Sequence, residues 1–326
     1  MITFWFSVVV LAWVLFFVLE GFDFGVGVLG PLLGRDDHER GAIVRTIGPF
    51  WDGNEVWLVA AIGVTFAAFP AWYAALLSGL YLPVAVLLLL LAVRGVALEF
   101  RGKGDGERWR RRCDIFLAVS SAAIVLLWGA LLTVFVRGLA LGPDGSVTGS
   151  GLNRSLSPVL TWQSLVGAGA ALLAALLLGA TFLALRTSGP VRRRARDLAR
   201  WLGTGGAVAL VLIGFGTASR TVLAAAALSL AAGLLARHGR EALAFATTAV
   251  GVAGAVVAVL TANGSVVLPS TLDGSWSLTM SAAAATPSAL SLLTVFGVII
   301  LPGVLAYQAY SYFVFRRRVA SERVPS

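Results

Sequence analysis

Pro49–Ala61 reads PFWDGNEVWLVAA, and an apolar run continues from it to Phe69. Asp52, Asn54 and Glu55 fall within four residues, bracketed by Trp51 and Trp57, in a chain that is 58% hydrophobic. An acid near the centre of a membrane span opposes insertion by about 2.5–3.5 kcal/mol. A segment that keeps two acids gains something from them, and the rest of the sequence shows in what setting.

The 326 residues are only 13% charged, against about 25% in soluble domains. Apolar runs of about 18 residues or more read as transmembrane helices. They predict an all-α integral membrane protein with nine spans, near 3–31, 44–69, 73–98, 115–137, 159–185, 201–218, 221–236, 242–262 and 289–315, in one membrane domain over residues 1–326. The sixth and seventh are short and rich in Ala and Gly. MITFWFSVVVLAWVLFFVLE at the start has no basic n-region and outruns a signal peptide, so it reads as a retained first span.

The net charge of +9 does not call for nucleic acid. With the N-terminus outside, 20 of the 25 basic residues fall in inner segments, among them Arg108–Arg112, Arg192–Arg200 and Arg316–Arg318. Only Arg137, Arg154 and Arg220 fall outside. This positive-inside asymmetry predicts a multi-pass plasma-membrane protein with a cytoplasmic C-terminus, its basic clusters suited to anionic inner-leaflet lipid. Two long Gly/Ser/Pro-rich segments, 138–158 and 263–288, are the outer loops; Asn153 and Asn263 carry N-x-S matches there by chance. Cys113 is the only cysteine, so no internal disulfide forms.

GVGVLG at Gly25–Gly30 matches a dinucleotide fingerprint in letters only, because it lies inside an apolar span and not between a strand and a helix. Gly21 and Gly25, and Gly30 and Gly34, read instead as sites of close helix approach. Glu20 and Asp23 in the first span, and Asp52 and Glu55 in the second, are each spaced i, i+3, so each pair shares a helix face. Two acid pairs on consecutive antiparallel helices point to a hydrated proton path, against the alternative of a polar cluster that pins helix packing. Arg94, Glu99 and Arg101 suggest a charge network at the inner end of the third span, or side chains that snorkel to the interface. Trp51 and Trp57 face a partner or a cavity, or fill the core. His38, His238, Met1, Met280 and Cys113 all lie outside the apolar centres of the spans. A buried haem needs an axial His, Met, Cys or Tyr, so the chain is expected to ligate no haem, and it shows no metal-spaced cluster.

GFDFGVGVL, IGPFWDGNEVWLVAAIGVTFAAFPAWYA, RGVALEFR and PGVLAYQAYSYFVFRRRV together resemble subunit II of cytochrome bd-type quinol oxidases. The likeness is strongest over residues 15–115 and 266–319. It implies two four-helix bundles plus one peripheral helix, and a membrane complex that oxidises quinol, reduces oxygen to water and builds a proton gradient without pumping. Haems b and d, and the quinol site, would sit on subunit I. By motif matching, Glu20, Asp23 and Asp52 would belong to a proton route towards those haems, and Trp57 would lie near an oxygen channel. Asn54 could orient water or a carboxylate on that route. The resemblance leaves room for a structural quinone and for small accessory membrane subunits. Some relatives carry Asp where this chain has Glu20.

Two rivals fit the same composition. A proton-coupled secondary transporter would also bury acids, but it would show internal repeats and broken helices around a central site, and no convincing repeat is present. A plain scaffold for a haem-bearing partner would tolerate acid-to-amide changes that a proton route would not.

Overall fold

The computed structural model describes residues 1–217 and 220–321. The end of the predicted span at 201–218 and the inner-side Arg323 therefore lie outside the described residues. The long helices are α1 (Ile2–Leu33), α3 (Trp51–Ala68), α5 (Tyr81–Phe100), α6 (Glu107–Arg137), α8 (Trp162–Arg186), α9 (Gly189–Thr217), α10 (Arg220–Arg237), α11 (Glu241–Thr261) and α13 (Pro287–Val314). Shorter helices are α2 (Asp37–Ile47), α4 (Pro70–Gly79), α7 (Gly151–Leu156) and α12 (Met280–Ala283).

Seven of these are long and apolar enough to cross a membrane: α1, α5, α6, α8, α10, α11 and α13. The sequence reading gives nine. The two remaining long helices are diluted by polar residues. Asp52, Asn54 and Glu55 lie in the first five positions of α3, and five Arg and one Asp lie in the first twelve of α9.

Two predicted boundaries are corrected. The span at 44–69 is two helices, because the chain turns at 48–50. Pro49 has no N–H to continue the ladder, and the Phe50 N–H donates to Ile47 O instead at 2.8 Å. The residues before that turn belong to α2, whose start is capped by Asp36 accepting from the Glu39 N–H at 2.8 Å. The span at 73–98 also divides, into α4 and α5 around Leu80. Pro83 offers no N–H to the Gly79 carbonyl, so the helix restarts there.

Helix α1 is the axis of the molecule and packs against α3, α6, α8 and α11. Its approach to α8 is close because both sides lack a Cβ: one built on Gly25 would fall 1.9 Å from Ala175 O, and one on Gly179 would fall 2.5 Å from the Gly25 carbonyl carbon. Rings fill the remaining volume. Trp13 and Phe16 meet Trp128 edge to face at 5.3 and 5.4 Å, and Phe22 stacks on Phe182 at 4.1 Å. The two long loops knit together. Leu139 N–H donates to Pro269 O and Thr271 N–H to Leu139 O, while the Asn263 amide caps the end of α6 by donating to Phe135 O and Val136 O. Within the second loop, β1 (Val266–Leu268) pairs antiparallel with β2 (Leu278–Thr279).

At the arginine-rich end, the segment after α13 lies along the α8–α9 turn. Val319 N–H donates to Arg186 O and Ser188 N–H to Val319 O, and the Ser321 hydroxyl donates to Ser188 O. Helix α13 itself is the least buried of the seven, and α3 is its main neighbour in the chain.

Candidate functional site

Four helices meet around a polar cluster whose centre is fully buried. Glu20 and Asp23, one turn apart on α1, are both 0% exposed. From α5, Arg94 Nη1 reaches to 2.7 Å from Glu20 Oε1, and the guanidinium lies over the Phe24 ring at 4.8 Å. From α3, the Asn54 amide donates to Asp23 Oδ2 at 2.7 Å and to Leu19 O at 3.3 Å. From α13, Gln308 Nε2 and the Tyr312 hydroxyl both donate to Asn54 Oδ1, at 2.9 and 2.8 Å. Two donors on one oxygen fix which way the amide points, so its NH2 must face Asp23. Tyr312 is held for this by stacking on Phe50 at 4.5 Å, and Phe50 lies under the Arg186 guanidinium at 5.4 Å.

The cluster contains two carboxylic acids and one guanidinium. Among the described residues no backbone group or non-acidic side chain hydrogen-bonds Glu20 Oε2 or Asp23 Oδ1. Burying charge away from water is costly, and Arg94 is the one cation set against these two fully buried acids among the described residues.

The other predicted site residues fall elsewhere. Asp52 is exposed in the first turn of α3, and Glu55 is half-buried one turn further on, close enough to Glu20, Asp23 and Arg94 to feel their charges; neither has a side-chain hydrogen bond or ion pair among the described residues. Asp52 therefore stands at the mouth of α3, two residues before the Asn54 that bonds Asp23. Trp57 is buried in the hydrophobic core, and Trp51 packs against the backbone at Gly95. Arg94, Glu99 and Arg101 do not form one network. Glu99 pairs with Lys103 at an exposed helix end, at 2.6 Å. Arg101 caps α5 and bonds Asp114 at 2.6 Å and Asp37 at 2.9 Å. Burial opposes the Arg101 cation, but those hydrogen bonds outweigh it and hold its pKa above the ordinary arginine value. Arg40 joins Asp114 at 3.0 Å and Arg110 joins Asp37 at 2.8 Å, so this assembly ties α2, α5 and α6 together. Among the described residues no group of His, Cys, Asp and Glu could hold a metal.

Gln308 and Tyr312 were not among the residues the sequence singled out. They are spaced i, i+4, so they share a face of an apolar helix, and that is the signal by which they could have been found.

A multi-pass helical membrane fold with a buried carboxylate–guanidinium site defines the class. Comparison with known families then identifies it: residues 1–315 match the family described as cytochrome bd terminal oxidase subunit II, and the chain belongs to that family. It is 34% identical over 97% of its length to a cytochrome bd ubiquinol oxidase subunit 2 from Bacillus subtilis, covering 96% of that protein. It is 35% identical over 57% of its length to a cytochrome bd-I ubiquinol oxidase subunit 2 from Escherichia coli K12, covering 48% of that protein. The fold is similar to a chain of the bd oxidase structure from Geobacillus thermodenitrificans, with a TM-score of 0.75, 18% identity, and 96% and 98% of the two chains covered.

Proposed function

We propose that this chain is subunit II of a quinol:oxygen oxidoreductase in a bacterial plasma membrane, and that it supplies part of the proton path to the site of oxygen reduction. In this reading it crosses the membrane nine times, as two four-helix bundles with one peripheral helix, N-terminus outside and C-terminus in the cytoplasm. Haems b and d, and the quinol site, belong to subunit I. The observation that carries the proton path is the Glu20–Asp23–Arg94 cluster, in which two fully buried acids share one guanidinium. Asp52, at the mouth of α3 on the arginine-rich side, and Glu55 beyond it lead from the surface towards that cluster. Asn54, aligned by Gln308 and Tyr312, holds Asp23 as the receiving group.

The test is oxygen consumption by the purified complex with quinol as donor. Asp23→Asn leaves Glu20 and Arg94 as a neutral pair, and Glu20→Gln leaves Asp23 and Arg94. Each variant is expected to assemble with its haem-bearing partner, and turnover is expected to fall about a hundredfold, the scale of losing a positioned proton-transfer group. Asp52→Asn, at an exposed position, is expected to slow turnover less. Assembly at full rate in both buried-acid variants would leave the cluster a packing element only. A proton-coupled transporter would instead move a solute when reconstituted without a haem chain.

A further inference from the structure

We propose that a cleft between α9 and α10 binds the phosphate of an anionic membrane lipid. The two helices share a tight seam of Ala195, Ala199 and Gly203 against Ala232, Gly233 and Ala236, in which a Cβ on Gly203 would fall 2.7 Å from Gly233 Cα. Towards the arginine-rich end the seam opens into a cleft of about 320 Å³, lined by Arg193, Arg196, Asp197, Arg200, Ala236 and Arg237. Its formal charge is four positive less one negative, or +3.

The arginines of this region divide into two sets. Arg194 pairs with Glu39 at 2.5 Å and Arg192 with Glu241 at 2.6 Å, and both help hold the fold. Arg193, Arg200 and Arg237 line the cleft with no carboxylate within 4 Å among the described residues. Arg196 stands between the sets, with its Nε 3.7 Å from Glu241 Oε1. It donates to Ala236 O and Arg237 O at 3.2 and 3.1 Å, capping carbonyls at the end of α10 that would otherwise repel an anion. Guanidinium groups converging on one small cleft suit the paired oxygens of a phosphate.

The surface below the cleft indicates where that phosphate comes from. Arg193, Trp201, Val208 and Leu212 recur at helical spacing along one face of α9, and Leu230, Leu234 and Arg237 do so along α10. Trp201 is 66% exposed, Val208 62%, Leu212 70%, Leu230 41% and Leu234 42%. An exposed apolar track leads from the basic cleft, with an interfacial Trp at the join, as expected for acyl chains below a headgroup.

The test is native mass spectrometry of the intact complex, delipidated in mild detergent and titrated with cardiolipin. The wild type is expected to hold one tightly bound copy, released by 0.5 M salt (about the scale at which charge pairing is screened). Combined Arg193→Gln, Arg200→Gln and Arg237→Gln should weaken it at least about tenfold, as expected for losing charge-assisted hydrogen bonds. Combined Arg108→Gln, Arg111→Gln and Arg112→Gln removes equal charge from another exposed basic cluster and should leave that copy bound. Absence of a tight copy in the wild type, or equal loss in both triple variants, would overturn the proposal. So would saturable binding of pyrophosphate at the cleft without lipid binding, which would make it a site for soluble anions. The wild-type titration decides even if a variant fails to assemble.

Discussion

Arg94 is the residue on which the buried cluster depends. Removing it leaves two acids in a lipid-embedded site with no compensating cation. Arg94→Gln is therefore expected to cost about 3–5 kcal/mol, the scale of breaking a buried pair from one side, and to reduce the yield of assembled complex. Adding Glu20→Gln removes one of those two acids, so the double variant should recover part of that yield; thermal unfolding of the single and double variants measures the coupling. Legibility at this scale followed cost. Glu20, Asp23, Glu55 and Arg94 stood out in the sequence because charge inside an apolar run needs a reason. Their pairing did not, since Glu20 could have met any of several arginines. Gln308 and Tyr312 stayed hidden because a neutral polar residue is cheap in a span, and because their partner Asn54 lies more than 250 residues away in the chain.

At the scale of elements, hydropathy located most helices but not their breaks. The turn at 48–50 and the restart after Leu80 are set by single missing N–H groups at Pro49 and Pro83, which a smoothed apolar average passes over. The glycines were more informative. Gly25 was readable as a close contact from its spacing, and it does face α8 backbone. Gly25→Ala would place a methyl 1.9 Å from Ala175 O, so α1 and α8 must separate; a loss of about 1–3 kcal/mol is expected. Gly63 in α3 has nothing within 4 Å of a built Cβ, and Gly63→Ala should leave stability unchanged or raise it by up to about 1 kcal/mol through helix propensity. Melting curves of the two variants, measured side by side, separate crowding from propensity.

Across the whole molecule, α13 is held by its two ends more than by its sides. Its arginine-rich end is tied down by the Val319 bonds to the α8–α9 turn and by Gln308 and Tyr312 in its last two turns, and its other end by Trp5 Nε1 donating to Thr294 Oγ1 at 3.1 Å. Val319→Pro removes one of those ties without changing the apolar helix. It should loosen the already exposed Arg316–Arg318 segment so that trypsin cuts it faster, and slow turnover by a few-fold, because the Asn54 amide loses its alignment; faster cleavage with unchanged turnover would separate the strap from the site. Long-range ties of this kind, like the knitting of residues 138–158 with 263–288, are invisible to a linear reading because they depend on which ends the folded helices bring together. The depth of the cluster has one more consequence. Glu20 is 13 residues, or about 20 Å of helix, from Leu33 at the arginine-rich end. On the orientation and proton path proposed above, each proton reaching Glu20 climbs through part of the transmembrane voltage, whose full span is worth about 2.3 kcal/mol per charge per 100 mV. An energised membrane would thus throttle its own respiration at this step, and an uncoupler would release it.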